Sequence, residues 1–379
     1  MSLNFDLDEE HQLLRDTVRQ FALEKVAPVA EELDREKRFP YDLVREMAEL
    51  GLMGMTIPEE YEGGGSDTLA YAIAIEELTR IDSSVAITVA AHHSLGTLPI
   101  WYFGSDEQKR EWIPDLASGR KLAAFGLTEP GAGSDAGATR TTAKLDGGEW
   151  VIYGAKMFIT NAGTDITACV TITAVTGDGE VSNIVVPNGT PGYTISPPMQ
   201  KLGWRASDTR ELSFQGARVP EGNLLGNRGA GFHQFLQILD GGRISVAAMG
   251  VGLAQGAYDL AFDYAKEREQ FGKPIAKFQS VQAKLVDIAT EIEAARQLVW
   301  KAAWEKDQGR DFRKSAAMAK LFSGELSHRA ANWSLQIHGG YGFMDEYAIS
   351  RLYRDQKILE IGEGTNEVQR MVIARHLGL

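Results

Sequence analysis

The sequence predicts a multi-domain α+β protein with a helical N-terminal domain, a central β domain and a C-terminal helical bundle. Three observations predict this fold class. Residues 1–120 carry apolar side chains at helical spacing, residues 121–226 consist of short β-branched runs broken by Gly, Asn and Asp, and residues 227–379 return to long amphipathic segments. The 379 residues suffice for two or three domains with a large core.

The N-terminal region is predicted to be helical throughout. Asp8 precedes apolar residues at helical spacing and can cap the first helix, which Pro28 can then kink. A second helix is expected over residues 41–50, because Gly51 follows it. The Ala-rich apolar run over residues 69–91 is too regularly spaced for strands, so we expect one buried helix there.

The central region has the pattern of a β domain. Its β-branched runs are separated by Gly-rich turns, of which DGGE at Asp146 and TGDGE at Thr176 are typical of hairpins. We expect a barrel or a sandwich.

Long helices with short connections are typical of a bundle, which is the fold expected for the C-terminal region. The amphipathic segments that predict it cover residues 239–268, 279–308, 312–337 and 346–361.

Composition limits the possible functions. The chain is 44% hydrophobic and 24% charged, as in ordinary soluble proteins. Its net charge of −13 argues against general nucleic-acid binding, because such a surface repels phosphates. No apolar run reaches about 18 residues, so no membrane span is expected. The acidic N-terminus lacks the basic residues of a signal or transit peptide, which indicates an intracellular protein.

Neither cysteine nor histidine usage favours a metal site. Cys169 is the single cysteine, which excludes an internal disulfide and a multi-cysteine site. His92 and His93 are adjacent, so their side chains diverge on a helix, and no third ligand is evident.

A Gly-rich segment, FGLTEPGAGSDAG over residues 125–137, is a candidate ligand loop. It contains a G-x-G, but the strand-like TRTTAKL follows it where a dinucleotide fingerprint needs a helix, so a Rossmann site is rejected. The hydroxyls of Thr128 and Ser134 and the exposed backbone N–H groups could cradle an anionic or heteroaromatic ligand. The alternative is a bare turn between strands.

A second segment, KMFITNAG over residues 156–163, places Phe158 and Thr160 on one face if it is extended. A ligand ring could stack on the aromatic side chain and hydrogen-bond to the hydroxyl. Core packing of Phe158 is the alternative.

Further polar motifs lie in the C-terminal region. LDGGR, residues 239–243, is expected to begin a helix with an acid and a base three residues apart. Arg268 and Gln279 flank a predicted turn between helices, and the Gly-rich break over residues 336–343 allows close approach of a ligand to backbone. Each of these features, taken alone, is also typical of a cap, a surface ion pair or a turn.

Glu363 is the candidate catalytic group. It stands between Gly362 and Gly364, after an apolar helical run and before a Thr-Asn-Glu that can cap a further helix. Such a carboxylate can face a cavity, although a solvated turn residue is the alternative.

Six motifs, FGLTEPGAGSD, KMFITNAG, LDGGRISVAAMGVGLAQGAYDLA, REQFGKPI, QIHGGYGF and EGTNEVQR, stand in the order and near the spacing found in acyl-CoA dehydrogenases. The resemblance covers essentially the whole chain and is strongest to the short-chain and bacterial branches. It implies a C-terminal four-helix bundle and non-covalently bound FAD. It also implies a homotetramer, a dimer of dimers, in which a neighbouring subunit completes each FAD site.

The resemblance also assigns roles to residues. It implies that Glu363 is the catalytic base, and it places two further groups around it. Those implied to bind FAD are Phe125, Leu127, Thr128, Gly133, Ser134, Phe158, Ile159, Thr160, Arg268, Phe271, Gln279, Gln336, Ile337, Gly339, Gly340, Thr365, Asn366 and Glu367. Those implied to lie near the acyl-CoA are Ser134, Asp240, Gly241, Gly242, Arg243 and Gly364.

The implied reaction removes an α-proton to Glu363 and a β-hydride to the flavin, giving a trans-2-enoyl-CoA. An exposed Glu is too weak a base for this proton, so burial is required. Some family members carry the base beside Arg243, where this chain has Gly242, and many have Tyr before the catalytic Glu, where it has Gly362. The missing ring favours a pocket that accepts branched short acyl groups.

An electron-transfer flavoprotein is the implied electron acceptor, and a cytoplasmic location is expected, or the mitochondrial matrix for a mature eukaryotic chain. Two alternatives remain: a flavin oxidase using oxygen, although the oxidases of the family usually add a further C-terminal domain, and a flavin- or CoA-binding scaffold without turnover. Fatty-acid β-oxidation, branched amino-acid degradation and secondary metabolism all use this fold.

Overall fold

Helices form the two outer parts of the chain and strands form the middle. The computed structural model describes residues 6–379. Residues 1–5, which begin the acidic N-terminus and the predicted first domain, lie outside the described residues.

The N-terminal part is helical, as predicted. Asp8 caps the first helix by accepting a hydrogen bond from the backbone N–H of His11. A π-helical turn, Ala22–Val26, separates the first two helices, and Pro28 stands in the first turn of the second. The helices are α1 Glu9–Phe21, α2 Ala27–Glu36, α3 Tyr41–Glu49, α4 Thr68–Ile81, α5 Ser83–Ala90, α6 Leu98–Phe103 and α7 Asp106–Ala117.

The single helix predicted over residues 69–91 was wrong, because Asp82 divides it. Asp82 has an extended backbone, ends α4, and accepts a hydrogen bond from Val85 N–H as the cap of α5. A short polar side chain that bonds nearby backbone N–H groups competes with helix continuation. The buried carboxylate is also held by Arg351, at 3.2 Å.

The middle part contains one seven-stranded sheet in the order β1-β4-β2-β3-β7-β6, with β5 paired to β4. The β2–β3 and β4–β5 pairs are antiparallel, which confirms the hairpins predicted at DGGE and TGDGE. The strands are β1 Leu122–Gly126, β2 Thr142–Asp146, β3 Glu149–Thr160, β4 Thr167–Gly177, β5 Glu180–Pro187, β6 Tyr193–Ile195 and β7 Thr209–Pro220.

The C-terminal part holds the longest helices. They are α8 Gly231–Glu267, α9 Gln279–Asp307, α10 Arg313–His338, α11 Ala348–Asp355 and α12 Asn366–Leu377, and the short strands β8 Glu269–Gln270 and β9 Lys273–Pro274 form a hairpin after α8.

Two boundaries differ from the prediction. Helix α8 starts at Gly231, so the LDGGR motif lies inside it and does not begin it; the buried Phe235 and Ile238 extend its apolar face toward the N-terminus. The predicted helix over residues 346–361 ends at Asp355, and a 3₁₀ turn, Gln356–Glu360, follows it. This turn ends three residues before Glu363.

The outer parts share one core, in which α8 packs against α4 and α10. Backbones approach closely at glycines: a Cβ on Gly252 would lie 2.2 Å from the carbonyl oxygen of Glu76. Helix α8 is therefore fixed on both sides. None of the helices in residues 6–379 combines the length and apolarity needed to span a bilayer.

Candidate active site

The carboxylate of Glu363 lies against helix α8 at Gly242. A Cβ placed on Gly242 would stand 2.1 Å from Glu363 Oε2, far inside contact distance. The carboxylate can occupy this position only because α8 carries no side chain there. Thus the glycine of the LDGGR motif and the glutamate near the C-terminus, predicted separately, meet in space.

The loop that carries Glu363 is held in an uncommon backbone conformation. Glu363 has φ +51° and Gly364 has φ +92°, both in the left-handed region. Such a residue other than glycine costs of order 1–3 kcal/mol and persists only where its surroundings hold it. Here Lys320 Nζ donates to Gly364 O at 2.8 Å, and Gln369 Nε2 donates to the same oxygen at 3.0 Å and to Glu363 O at 3.3 Å.

Burial raises the pKa of the Glu363 carboxyl to about 7, with Lys320 and Arg243 acting in the opposite direction. Its Oε2 is shielded from solvent and, within the described residues, has no hydrogen-bond partner. A carboxylate of this kind, desolvated and poised near neutral pH, is suited to accept a proton from a bound molecule. A solvated turn residue would have neither property, so that alternative is wrong.

An ion pair flanks Glu363 on α8. Arg243 is buried and donates from Nη1 to Asp240 Oδ1 at 2.5 Å. Burial raises the pKa of Asp240 and lowers the pKa of Arg243, and each charge opposes the shift of the other. Asp240 and Arg243, predicted as an acid and a base three residues apart, therefore do pair, and Arg243 is the neighbour of Gly242, against which Glu363 lies.

The Gly-rich loop after β1 is anchored from below by a buried lysine. Lys156 Nζ donates to Leu127 O at 3.2 Å, to Glu129 Oε1 at 2.8 Å and to Thr173 Oγ1 at 3.0 Å. The backbone N–H of Met157 donates to Thr128 O at 2.8 Å, which ties the loop to β3. Phe125 is buried beneath it, whereas Gly133 and Ser134 are exposed at its tip.

Beside this loop, β3 bulges between Lys156 and Ile159. Phe158 has φ +64°, so the regular extended backbone expected there is wrong, and its ring is 63% exposed. Core packing of Phe158 is therefore excluded, while Ile159 is the buried residue of the pair. Thr160 follows at the strand end, half-buried.

This region fits the flavin of FAD, judged from its side chains. The side-chain hydroxyl groups of Thr128 and Thr160 have no hydrogen-bond partner among residues 6–379. Both are therefore free to hydrogen-bond to the edge of a bound ring. An added Cβ on Gly131 or Gly133 would meet nothing within 4 Å, which leaves the loop backbone open to a ligand. The exposed Phe158 ring offers a stacking surface.

A second group of predicted cofactor residues surrounds the β8–β9 hairpin. Phe271 is 93% exposed with φ +54°, and with Gln336 and Ile337 it lines a pocket of about 400 Å³. The guanidinium of Arg268 lies 5.5 Å from the centre of the Tyr341 ring. Gln279 is the first residue of α9, and the exposed Gly339 and Gly340 begin the turn after α10.

This hairpin group is distant from Glu363 within the chain. Gly242 lies within α8 and Arg268 caps its C-terminal end, so at 1.5 Å per residue about 39 Å of helix separates them. That separation exceeds the span of an extended dinucleotide. The structure therefore brings Glu363 to Gly242, but it does not bring Arg268, Phe271 and Gln279 to them.

The segment Thr365–Glu367 has a different surrounding from the one expected. Thr365 caps α12 by accepting a hydrogen bond from Val368 N–H, and Asn366 is buried with its Oδ1 3.2 Å from Lys320 Nζ. Their side chains are thus engaged inside the chain, while Glu367 is exposed.

Sequence reasoning missed Lys320, Gln369 and Tyr71. Tyr71, on α4, is buried, and burial raises its pKa; its hydroxyl donates to Ala90 O at 3.2 Å. Lys320 had a signal: it occupies a position of the small-residue stripe of α10 at helical spacing from Ala316 and Ser323, where a lone charge is out of place. Nothing in its local pattern marks Gln369.

The two adjacent histidines join the N-terminal helices to neighbouring segments. His92 Nε2 donates to Leu116 O at 2.9 Å, and its Nδ1 accepts from Ala123 N–H at 3.1 Å. His93 Nε2 lies 2.8 Å from Thr56 Oγ1. Burial lowers the pKa of His92 to about 4 and that of His93 to about 3, so both stay neutral at pH 7.

Three family models match the chain, and together they cover nearly all of it. They are the acyl-CoA dehydrogenase N-terminal domain at residues 8–120, the middle domain at residues 124–217 and the C-terminal domain at residues 229–378.

Curated relatives are similar over their full length. A probable acyl-CoA dehydrogenase, YngJ of Bacillus subtilis (strain 168), is 52% identical over 99% of this chain and 100% of the relative. The mitochondrial short-chain specific acyl-CoA dehydrogenase of Bos taurus is 46% identical over 98% of this chain and 91% of the relative.

Solved structures have the same fold. Butyryl-CoA dehydrogenase from Megasphaera elsdenii superposes with a TM-score of 0.96 at 41% identity over 100% of both chains. An acyl-CoA dehydrogenase complexed with FAD from Bacillus anthracis gives 0.91 at 36% identity over 98% and 67% of the chains. A chain from a study of the electron transferring flavoprotein of Acidaminococcus fermentans gives 0.97 at 42% identity over 99% of both.

Proposed function

The chain belongs to the acyl-CoA dehydrogenase family, and on that premise we propose that Glu363 removes the α-proton of a short acyl-CoA thioester, which is dehydrogenated to the trans-2-enoyl-CoA. FAD, when bound, supplies the acceptor for the β-hydride. The observation that supports this role is the shielded, unpartnered Oε2 of Glu363, on a carboxyl whose pKa burial raises to about 7.

The position of Glu363 explains how a carboxylate can act on so weak an acid. An α-proton of a thioester has a far higher pKa than glutamic acid in water, so the base must be strengthened and the thioester polarised. Removal from solvent strengthens the base. The backbone N–H of Glu363 is the proposed donor to the thioester carbonyl, where it would stabilise the charge that develops on the oxygen.

FAD is proposed to lie across the Gly-rich loop and the bulge of β3. Thr128 and Thr160 would bond the ring edges, while Phe125, Leu127, Gly133, Ser134, Phe158 and Ile159 would shape the surface beneath. The acyl-CoA is proposed to approach Glu363 along the bare face of α8 at Gly241 and Gly242, near Asp240, Arg243, Ser134 and Gly364.

The remaining cofactor residues are proposed to act on the FAD of a neighbouring subunit. Arg268 lies about 39 Å along α8 from Gly242, so the hairpin group cannot share one cofactor with Glu363 in the same chain. The nearly fully exposed Phe271 suits contact with another chain. A homotetramer built as a dimer of dimers would satisfy both observations. In it, the residues beside Arg268 and Phe271 would contact the same FAD; they are Gln279, Gln336, Ile337, Gly339 and Gly340. Thr365, Asn366 and Glu367 would contribute to FAD binding near Glu363.

The acyl pocket is proposed to admit branched short chains because of Gly362. A Cβ added there would meet only Ile358, with its carbonyl oxygen at 3.3 Å and Cγ1 at 3.8 Å. Gly362 therefore places no side chain directly before the proposed catalytic residue. An α- or β-substituent on the acyl group is the occupant that this position suits.

Electrons are passed to an electron-transfer flavoprotein, as the similarity to short-chain dehydrogenases and to the Acidaminococcus chain supports. A cytoplasmic location is proposed from the Bacillus relative.

An acyl-CoA panel under anaerobic conditions tests the proposal. We expect butyryl-CoA and its branched analogues to bleach the flavin absorbance, and the bleached enzyme to recolour quickly with an electron-transfer flavoprotein but slowly with air. Fast recolouring in air would identify an oxidase. If acyl-CoAs bind but none of the panel bleaches the flavin, the protein is a flavin- or CoA-binding scaffold without turnover.

A further inference from the structure

Lys320 is a buried cation behind the catalytic loop. It is 0% exposed, and its Nζ donates to Gly364 O at 2.8 Å and to Asn366 Oδ1 at 3.2 Å. Both acceptors are neutral oxygens. Burying an ammonium without a bonded carboxylate is costly, so it persists only where the charge or its hydrogen bonds serve the surrounding structure.

Charged and titratable groups face Glu363 from every element packed on it. Helix α4 presents Tyr71, which is neutral, and α8 presents Arg243, whose charge is balanced by Asp240 at 2.5 Å. Helix α10 presents Lys320. On the loop's own segment, Glu360 is paired with Lys357 and Glu367 is exposed.

Lys320 is therefore the positive charge near Glu363 that no bonded carboxylate neutralises. Arg243 acts on Glu363 through a field that Asp240 largely cancels, whereas the field of Lys320 is intact in surroundings of low polarity. Its hydrogen bond to Gly364 O also restrains the residue next to the base, in the left-handed stretch of backbone.

Taking Glu363 as the base, we propose that Lys320 is a positioning residue with two effects: it holds the Glu363–Gly364 backbone in its left-handed form, and it keeps the base ionised at neutral pH. Lys320 touches neither the substrate nor the reacting atoms. It acts through the loop and through its charge.

The titration directions agree with this role. Burial lowers the pKa of Lys320 to about 8, and Glu363 opposes that shift; burial raises the pKa of Glu363 to about 7, and Lys320 opposes that one. Each group favours the charged form of the other. Removing the ammonium should thus raise the pKa of Glu363 further.

The test uses two substitutions that remove the charge and one that loosens the loop without removing it. K320M removes the charge and the donor, K320Q removes the charge but keeps a donor, and Q369L removes the hydrogen bonds to Glu363 O and Gly364 O. Each FAD-loaded variant is titrated by infrared difference spectroscopy with ¹³C-labelled glutamate, using E363Q to identify the carboxyl band of Glu363. The pH dependence of anaerobic bleaching is measured in parallel.

We expect K320M and K320Q to move the Glu363 titration midpoint upward by about one pH unit, the shift typical of losing one nearby opposite charge. Bleaching at pH 7 should slow several-fold and recover as pH rises. Q369L should slow bleaching with no shift of the midpoint. An unshifted midpoint in K320M and K320Q would overturn the proposal.

A further variant covers the case in which neither lysine substitution folds. N366D places a carboxylate 3.2 Å from Lys320 Nζ and should neutralise its field, again raising the midpoint; no rise would likewise overturn the inference. Failure of the proposed function is distinguishable, because E363Q would then bleach at the wild-type rate whatever the lysine variants do.

Discussion

The Glu363 carboxylate occupies the space that a side chain on Gly242 would need: Glu363 Oε2 lies 2.1 Å from the position of a Cβ on Gly242. The bare face of α8 thus forms the wall against which the base rests. Because α8 is packed between α4 and α10, it cannot shift away from Glu363. The position of the carboxylate depends on a residue far away in the sequence.

Adding one methyl group at Gly242 should displace the base. We expect G242A to lower the rate of anaerobic flavin bleaching about 100-fold, because a misplacement of about 1 Å costs this much. FAD content should not change, and Ala in place of Gly favours the helix itself, so unfolding does not explain a loss. In G241A the new Cβ would lie 3.7 Å from Lys306 Nζ, an ordinary contact, and we expect a smaller loss. Equal rates for G242A and wild type would contradict the placement of the carboxylate.

The raised pKa of Glu363 should appear as a pH-dependent cost in stability. Its folded-state pKa of about 7 exceeds the ordinary glutamate pKa of 4.5, so its contribution to stability is fully present below pH 4.5 and is lost as pH rises through 7. E363Q keeps a neutral side chain and should gain about 1–3 kcal/mol relative to wild type between pH 5 and pH 8. Denaturation midpoints at both pH values measure this, with the exposed Glu60→Gln as control. A pH-independent difference would argue against a buried Glu363.

The buried Lys156–Glu129 pair should be essential to the flavin loop. K156M leaves Glu129 buried without its cation and should lower the unfolding free energy by about 3–5 kcal/mol. The double variant K156M/E129Q removes the stranded charge and should recover part of that loss. Thermal denaturation and FAD retention on gel filtration provide the readouts. If K156M were as stable as wild type, the anchoring of the loop by Lys156 would be wrong.

Filling the space at Gly362 should narrow the substrate range. Wild type should turn over straight-chain and α- or β-branched short acyl-CoAs at comparable rates, and G362Y should lower turnover of the branched substrates at least tenfold more than that of butyryl-CoA, because a ring would occupy the space beside the reacting carbons. Steady-state assays with an artificial acceptor give both rates. A wild-type enzyme strictly selective for straight chains would refute this reading of Gly362.

Much of the fold could be predicted, because it rests on local patterns. A few adjacent residues encode each of the features that were predicted. These are the change from helical spacing to β-branched runs near residue 121, the hairpins at Asp146 and Thr176, and the helix caps at Asp8 and Thr365. The break at Asp82 was missed since an apolar run hides a single capping residue.

The site was less predictable, since its contacts are long-range. Glu363, Thr128 and Phe158 were identified through motifs, but the approach of Glu363 to Gly242 depends on how the segment after α11 packs against α8. Lys320 was missed because its acceptors, Gly364 O and Asn366 Oδ1, are distant in the sequence. Without them, nothing in the small-residue stripe of α10 explains a buried charge.

The most direct test of Glu363 as the base is rapid mixing of FAD-loaded E363Q with butyryl-CoA in the absence of oxygen. Wild type should bleach the flavin absorbance, whereas E363Q should bind the thioester, seen as a perturbed flavin spectrum, and bleach at least about 1,000-fold more slowly, since a neutral amide cannot accept the α-proton. Bleaching by E363Q at a rate near that of wild type would show that another group takes the proton.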